Sequence, residues 1–479
     1  MSAKSLKSVK SVKSVKGMKG MKGMKGIKSV ESLDSGSSLL RMERFHSDYL
    51  NNDRELFIYV PPSYQREPNR RYPVLYMHDG QNIFHPAFNG YSWNVDAAAD
   101  RLIAERRMEE IIIVGISNMG MKRADEFTHD LEGVRYQDDK FPVQPRGHLY
   151  ERFLIEEVKP YVDALFRTQP EPEHTALMGS SRGGQVTYHI GLRRPDVFSM
   201  LGIMSPYMYC VYPDTLAEVP LYHTFTIKQP LKKIWIDLGS REGLLVMEKH
   251  VREVTEKLLD LGYEVDDEVV YLYEPGAIHV EKDWEARVAA PLLHFFGHRG
   301  KPCTLTLHGD REAGITGPAC RLNPILEFDS GFKMSPLRAV YRVADERIAQ
   351  VRDDGTVVPL QPGDTEVTVQ VDGREASLPL RILEEIPVHV TLDIVVQVPS
   401  DTPKGLKLYA WFPLTYDQDR GAYTARLRIP LHTEWVFQVK REDGIVEADG
   451  AGASVEHSYK ADKDGTLQIF VERWSERKE

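Results

Sequence analysis

Ser181 stands at the centre of Gly179-Ser180-Ser181-Arg182-Gly183, a G-x-S-x-G match inside the stretch 174–184, H-T-A-L-M-G-S-S-R-G-G. A serine on such a turn, between small neighbours, is held in a strained backbone conformation. Its hydroxyl then projects at a helix N-terminus, where it can act as a nucleophile. A nucleophilic serine needs a base to take its proton and a carboxylate to orient that base. Both follow in order: Glu242 in the turn Gly239-Ser240-Arg241-Glu242, and His279 at the end of Pro275-Gly276-Ala277-Ile278-His279. Asp237, five residues before Glu242, is the alternative acid, and His189, about two turns beyond Ser181, reads as packing. The oxyanion of an acyl-transfer intermediate needs two backbone N–H donors. Arg182 supplies one, and Gln81, in His78-Asp79-Gly80-Gln81, supplies the other.

These residues need elements that deliver them to one edge. Apolar runs predict strands at 55–60, 72–78, 110–116, 175–179, 200–205, 232–238 and 268–274. Several are continuous (V-L-Y-M, I-I-I-V, K-I-W-I), as in parallel strands covered on both faces. Helical patterns fall between them at 95–108, 149–166, 181–194, 244–261 and 281–296. The alternation predicts an α/β domain with a doubly wound, mostly parallel sheet over residues 39–300. In that arrangement Ser181, Glu242 and His279 each lie just past the carboxyl end of a strand, in the chain order of an α/β-hydrolase.

The rest of the chain has a different character. Residues 1–38 are predicted to be a disordered low-complexity tail, with lysine at every third position from Lys4 to Lys28. Nine lysines and no acid lie within 1–30, so of the net charge of −10 the remaining residues carry −19. An acidic body argues against a nucleic-acid-binding face on the folded part. No run approaches the ~18 apolar residues of a membrane span. The tail lacks a secretory apolar core, which with three cysteines (Cys210, Cys303, Cys320) predicts a cytoplasmic location, a Cys303–Cys320 bridge being left open. No metal-ligand spacing occurs, and no metal or cofactor is implied. After Lys301 helical patterns nearly vanish, and two small β-sandwiches are predicted, over 301–384 and 385–479.

Residues 40–298 resemble the esterase family of the esterase D and enterochelin esterase type. The carriers include F-I-Y-V-P-P-S-Y (57–64), Y-P-V-L-Y-M-H-D-G-Q-N-I-F (72–84), Trp93, G-I-S-N (115–118), and Arg123 with Glu126. F-L-I-E-E-V-K-P-Y-V-D (153–163), G-S-S-R-G-G (179–184), D-L-G-S-R-E-G (237–243) and H-V-E-K-D-W (279–284) complete them. The resemblance implies a serine esterase with nucleophile Ser181, acid Glu242 and base His279. It implies substrates among carbohydrate acyl esters, feruloyl esters and siderophore lactones. Trp93 and Arg123 are then candidate pocket-lining residues, with core packing and a structural ion pair as the alternatives. Arg182 departs from the methionine or leucine usual in the family and puts a guanidinium beside the acyl site. Residues 341–373 resemble a bacterial Ig-like (group 2) domain, usually a spacer and more at home outside the cell. The last segment is similar to starch- and glycogen-binding sandwiches, without their glycine-tryptophan and asparagine-arginine pairs. Sugar binding there stays open, and Trp411, Trp435 and Trp474 read as core. Acyl transfer through the same triad, and a non-catalytic polysaccharide-associated protein, are the rival functions.

Overall fold

The structure is a computed structural model. It describes residues 27–475 except 34, 88, 137–142, 213–216, 243–244, 404, 411 and 432. Most of the lysine-rich tail and Trp411 therefore lie outside the described residues, as does the side chain of Trp435.

Strands β1 (Ile27–Ser32), β2 (Ser38–Ser47), β3 (Asn52–Val60), β4 (Val74–His78), β5 (Ile112–Ile116), β6 (Thr175–Ser180) and β7 (Met200–Met204) begin the main sheet. A short hairpin of β8 (Tyr209–Val211) and β9 (Glu218–Pro220) follows, then β10 (Lys233–Gly239) and β11 (Val269–Glu274). The nine-stranded sheet has the order β1-β2-β3-β5-β4-β6-β7-β10-β11. From β5 to β11 every pairing is parallel, and β1, β2 and β3 add antiparallel at one side. Strands β4, β5 and β7 are buried at every position, as their unbroken apolar runs require.

Two expectations change here. Residues 27–32, assigned to the tail, form β1 and pair with β2, so the ordered fold begins before residue 39. Strand β2 was not anticipated either. Its burial alternates in part along S-L-L-R-M-E-R-F-H-S, and the three charges Arg41, Glu43 and Arg44 hide the apolar face.

The helices are α1 (Gly80–Ile83), α2 (Val95–Ala104), α3 (Arg123–Glu126), α4 (Gly147–Arg152), α5 (Lys159–Leu165), α6 (Arg182–Arg193), α7 (Leu245–Asp260), α8 (Glu281–Arg287) and α9 (Ala289–Phe296). The helix expected at 149–166 carries a π-turn, Phe153–Val158, between α4 and α5. Pro160 has no N–H to donate and its ring crowds the preceding turn, and the wider turn absorbs both. Pro291 likewise divides the 281–296 pattern at Val288. Apolar clusters fill both faces of the sheet.

Beyond Gly300 the described elements are strands. Over 301–384 they form sheets of three and four strands and a two-stranded ribbon. Their core runs into that of the α/β part, with Phe332 edge-on to Trp235 at 5.8 Å. Arg374–Glu385 and His389–Gln397 flank the joint to the last region, which has its own core and a six-stranded sheet. Trp474 packs on that core; its indole N–H donates to Thr402 and Arg441 lies over its ring. All three cysteines are free, so Cys303 and Cys320 form no bridge. Among the described residues no helix is long and apolar enough to cross a membrane, and no cluster of His, Cys, Asp or Glu could hold a metal.

Candidate active site

Ser181 follows β6 and precedes α6, with φ 59 and ψ −123. This is the strained turn anticipated for a serine between glycines. A Cβ on Gly179 would lie 2.9 Å from the Gly183 carbonyl carbon and 2.8 Å from the His78 ring, so only glycine lets strand and helix meet here. Backbone bonds fix the turn: the Ser181 N–H donates to the Met204 carbonyl (3.0 Å), and the Tyr207 N–H donates to the Ser181 carbonyl (3.1 Å).

His279 lies on the loop after β11, half-buried, with Nδ1 2.9 Å from Glu242 Oε2. That bond engages Nδ1, and Nε2 is the other ring nitrogen. Glu242 is fully buried. Its other oxygen accepts from the Gly239 N–H (2.7 Å), the Ser205 hydroxyl (2.8 Å) and the Arg287 guanidinium. Burial pushes this carboxyl up, but the Arg287 charge and the His279 and Ser205 hydrogen bonds outweigh it, leaving it below the ordinary carboxylate range. Asp237 does not reach the histidine. It accepts from the Trp235 indole (2.7 Å) and from Arg287 Nε (3.2 Å), and burial raises its carboxyl.

Sequence reasoning missed the residues that join these parts. Ser205, fully buried after β7, donates to Glu242 and accepts from the Trp284 indole (2.9 Å) and Arg287 Nη2 (2.6 Å). Its own backbone N–H is held by Asp237. Since Met204 accepts from Ser181 and Ser205 donates to Glu242, two adjacent residues tie the Ser181 turn to Glu242. Arg287 serves both buried carboxylates, and Trp284 stands edge-on to the His279 ring at 5.0 Å. The W of H-V-E-K-D-W was the one available sequence signal.

The loop carrying Gln81 is braced just as closely. A Cβ on Gly80 would come within 2.4 Å of the Gly115 carbonyl carbon, so α1 lies directly against β5. Asp79, at φ 57, accepts from both Arg123 Nε (2.7 Å) and Nη2 (2.8 Å) and from Asn118 Nδ2 (2.6 Å). Arg123 Nη2 also donates to the Ser180 carbonyl at 3.3 Å, bridging this loop to the turn that carries Ser181. Asn118, from the G-I-S-N block, donates its N–H to the Gln81 side chain (3.1 Å). Gln81 and Arg182 stand in the first turns of α1 and α6, where backbone N–H groups have no intrahelical acceptor.

The remaining candidates divide. Arg123 is the ion-pair strut just described, a quarter exposed. Trp93 is not on an open wall: it is 3 % exposed and packs on Trp284 at 5.4 Å, behind the histidine. The Arg182 guanidinium lies over the Tyr207 ring at 5.1 Å. His189 is buried in α6 against His129 and Phe225, as packing requires.

Comparison with known proteins finds esterases. The chain is 27% identical over 234 residues to the endo-1,4-beta-xylanase/feruloyl esterase of Xylanibacter ruminicola, covering 47% of this chain and 27% of that one. It is 24% identical over 232 residues to the ferri-bacillibactin esterase BesA of Bacillus subtilis, covering 44% and 75%. Among solved structures, the ferulic acid esterase of Anaeromyces mucronatus is 20% identical over 56% of this chain and 90% of that one, with a TM-score of 0.40. Residues 47–295, just over half of the chain, match the family model described as "Putative esterase", and the protein belongs to that family as a carboxylic ester hydrolase.

Proposed function

We propose that Ser181, His279 and Glu242 are the catalytic triad of this esterase and that the Gln81 and Arg182 N–H groups form its oxyanion hole. Ser181 Oγ attacks the ester carbonyl carbon while His279 Nε2 takes its proton. The tetrahedral oxyanion is held by the two N–H donors. The imidazolium, steadied by Glu242 at Nδ1, returns the proton to the leaving alkoxide as the C–O bond breaks. Water then attacks the acyl-enzyme, again with His279 as base, releasing the acid and restoring Ser181.

The observation that carries this reading is the 2.9 Å bond from His279 Nδ1 to a buried, ionised Glu242, together with the strained φ of 59 at Ser181. A proton carried on Nδ1 and donated to Glu242 would leave Nε2 to accept the Ser181 proton. The relatives' names, feruloyl esterase and ferri-bacillibactin esterase, support feruloyl–carbohydrate and siderophore-type esters as the substrate classes. Labelling by a fluorophosphonate and turnover of p-nitrophenyl acetate, butyrate and octanoate test the assignment. Ser181→Ala is expected to abolish labelling and to lower kcat by about 10³-fold or more. Wild-type protein that is folded yet neither labels nor turns over would refute it.

A further inference from the structure

The loop carrying Glu242 and the loop carrying His279 are laced into one unit. Ser240 N–H donates to the Glu274 carbonyl (2.9 Å), Arg241 N–H to the Ala277 carbonyl (3.0 Å), and Gly276 N–H to the Ser240 hydroxyl (2.8 Å). A displacement of either loop therefore carries the other with it. Along one side this unit faces a cleft of about 470 Å³, with Ser240, Pro275 and Gly276 on one wall and Ile386 and Leu431 on the other.

One side chain spans it. Arg241 Nε stands 2.5 Å from Glu434 Oε2, and its Nη2 donates to the Ser458 hydroxyl at 2.9 Å. Glu434 and Ser458 lie in the ribbon formed by Glu434–Phe437 and His457–Lys460, where Glu434 is directly opposite Lys460. Lys460 Nζ approaches the second Glu434 oxygen at 3.6 Å, which holds the carboxylate between two cations. The partner of Arg241 is thus preset by the C-terminal sheet, some 190 residues along the chain. Arg241 is also the immediate neighbour of Glu242.

We propose that the C-terminal β region positions the catalytic loops, with Glu434 clamping Arg241 and so holding Glu242 and His279 in register. This rests on the triad assigned above. Glu434 touches no substrate; it is a positioning residue acting through Arg241. A small displacement of a catalytic base costs rate far more than binding, so the clamp acts on kcat and leaves KM nearly unchanged. Because the pair is about one-third exposed, salt weakens it.

The test uses the full chain, with Glu434→Gln, Arg241→Gln, the double variant and the charge exchange Arg241→Glu/Glu434→Arg. Two readouts are taken: p-nitrophenyl ester kinetics, and amide hydrogen exchange in peptides covering 237–242 and 274–280, with 74–83 as internal control. Glu434→Gln is expected to lower kcat about tenfold with KM within about twofold, and to speed exchange in the two loops but not in the control. The double variant should be no worse than either single, and the charge exchange should recover part of kcat. Wild-type kcat should fall toward the variant's value in about 1 M NaCl. Exchange and kcat in Glu434→Gln equal to wild type, or single losses that multiply in the double variant, would overturn the clamp. Should wild type show no ester turnover, the triad assignment fails, and loop exchange by itself then decides whether Glu434 holds the loops.

Discussion

At the residue scale, the site depends on one arginine serving two buried carboxylates. Arg287 contacts Glu242 and Asp237, all three being almost fully buried. Removing it with Arg287→Met leaves two acids in a dry interior without a counter-charge, an effect of about 3–5 kcal/mol where a buried pair is broken. A fall of that order in unfolding free energy is expected from urea titration. The same change has a kinetic sign. Arg287 is the principal force holding the Glu242 carboxyl low, against burial. Without it, Glu242 takes up a proton at higher pH and stops orienting His279. The acidic limb of the kcat profile should therefore move to higher pH in Arg287→Met, and a limb at the wild-type position would contradict the assignment. The strand-end turns that carry Ser181, Glu242 and His279 were legible in the sequence because each ends a local apolar run. Arg287 and Ser205 were not, since their meaning lies in partners 45 and 82 residues away that no local pattern encodes. Trp93 stood among the family's blocks, yet its role is set by Trp284, a neighbour that only the folded chain supplies.

At the scale of elements, the contact between β6 and α6 is set by the absence of side chains. Gly179→Ala would drive a Cβ into backbone at 2.9 Å, where no flexible group can yield. The strand and helix must separate, carrying Ser181 with them. A destabilisation of about 1–3 kcal/mol is expected, together with a loss of kcat out of proportion to that figure, measured by denaturant midpoint and ester turnover. A second element-level effect lies in the turn before β11. Asp266, at φ 59, has its carboxyl pushed up to about 6 by burial, although it accepts from the Leu337 N–H. A carboxyl raised on folding favours the protonated native state, so its contribution is lost as pH rises through about 6. Asp266→Asn keeps the oxygen acceptor and tolerates the positive φ. It should raise the melting temperature at pH 8 and change it little at pH 4; an equal shift at both would rule out titration of Asp266 as the cause. The same scale shows where pattern reading stops. The parallel strands β4, β5, β6, β7, β10 and β11 were readable as apolar runs. Strands β1 and β2 were hidden by lysine triplets and interleaved charges, because an added outer strand needs only one apolar face.

At the scale of the molecule, β11 ends the nine-stranded sheet and would present an open edge. Residues 301–384 cover it: the Ser335 N–H donates to the Tyr271 carbonyl (2.7 Å), the Ser335 hydroxyl accepts from the Tyr273 N–H (3.0 Å), and Asn323 Nδ2 donates to the Tyr273 carbonyl (2.9 Å). Arg338 pairs with Glu256 of α7, and Phe332 packs on Trp235. This region is therefore built into the α/β core, which distinguishes it from a spacer strung between independent bodies. An uncovered strand edge bordered by exposed aromatics is a template for pairing with other chains. A chain ending at Gly300 is accordingly expected to aggregate, whereas one ending at Glu385 keeps the edge covered and should remain soluble. The soluble chain ending at Glu385 lacks Glu434, so its kcat should match that of Glu434→Gln in the full chain. Size-exclusion chromatography and ester turnover on the two truncations separate the roles: soluble, active protein ending at Gly300 would show that covering β11 is dispensable. Undiminished kcat in the chain ending at Glu385 would show that the catalytic loops hold their register unaided.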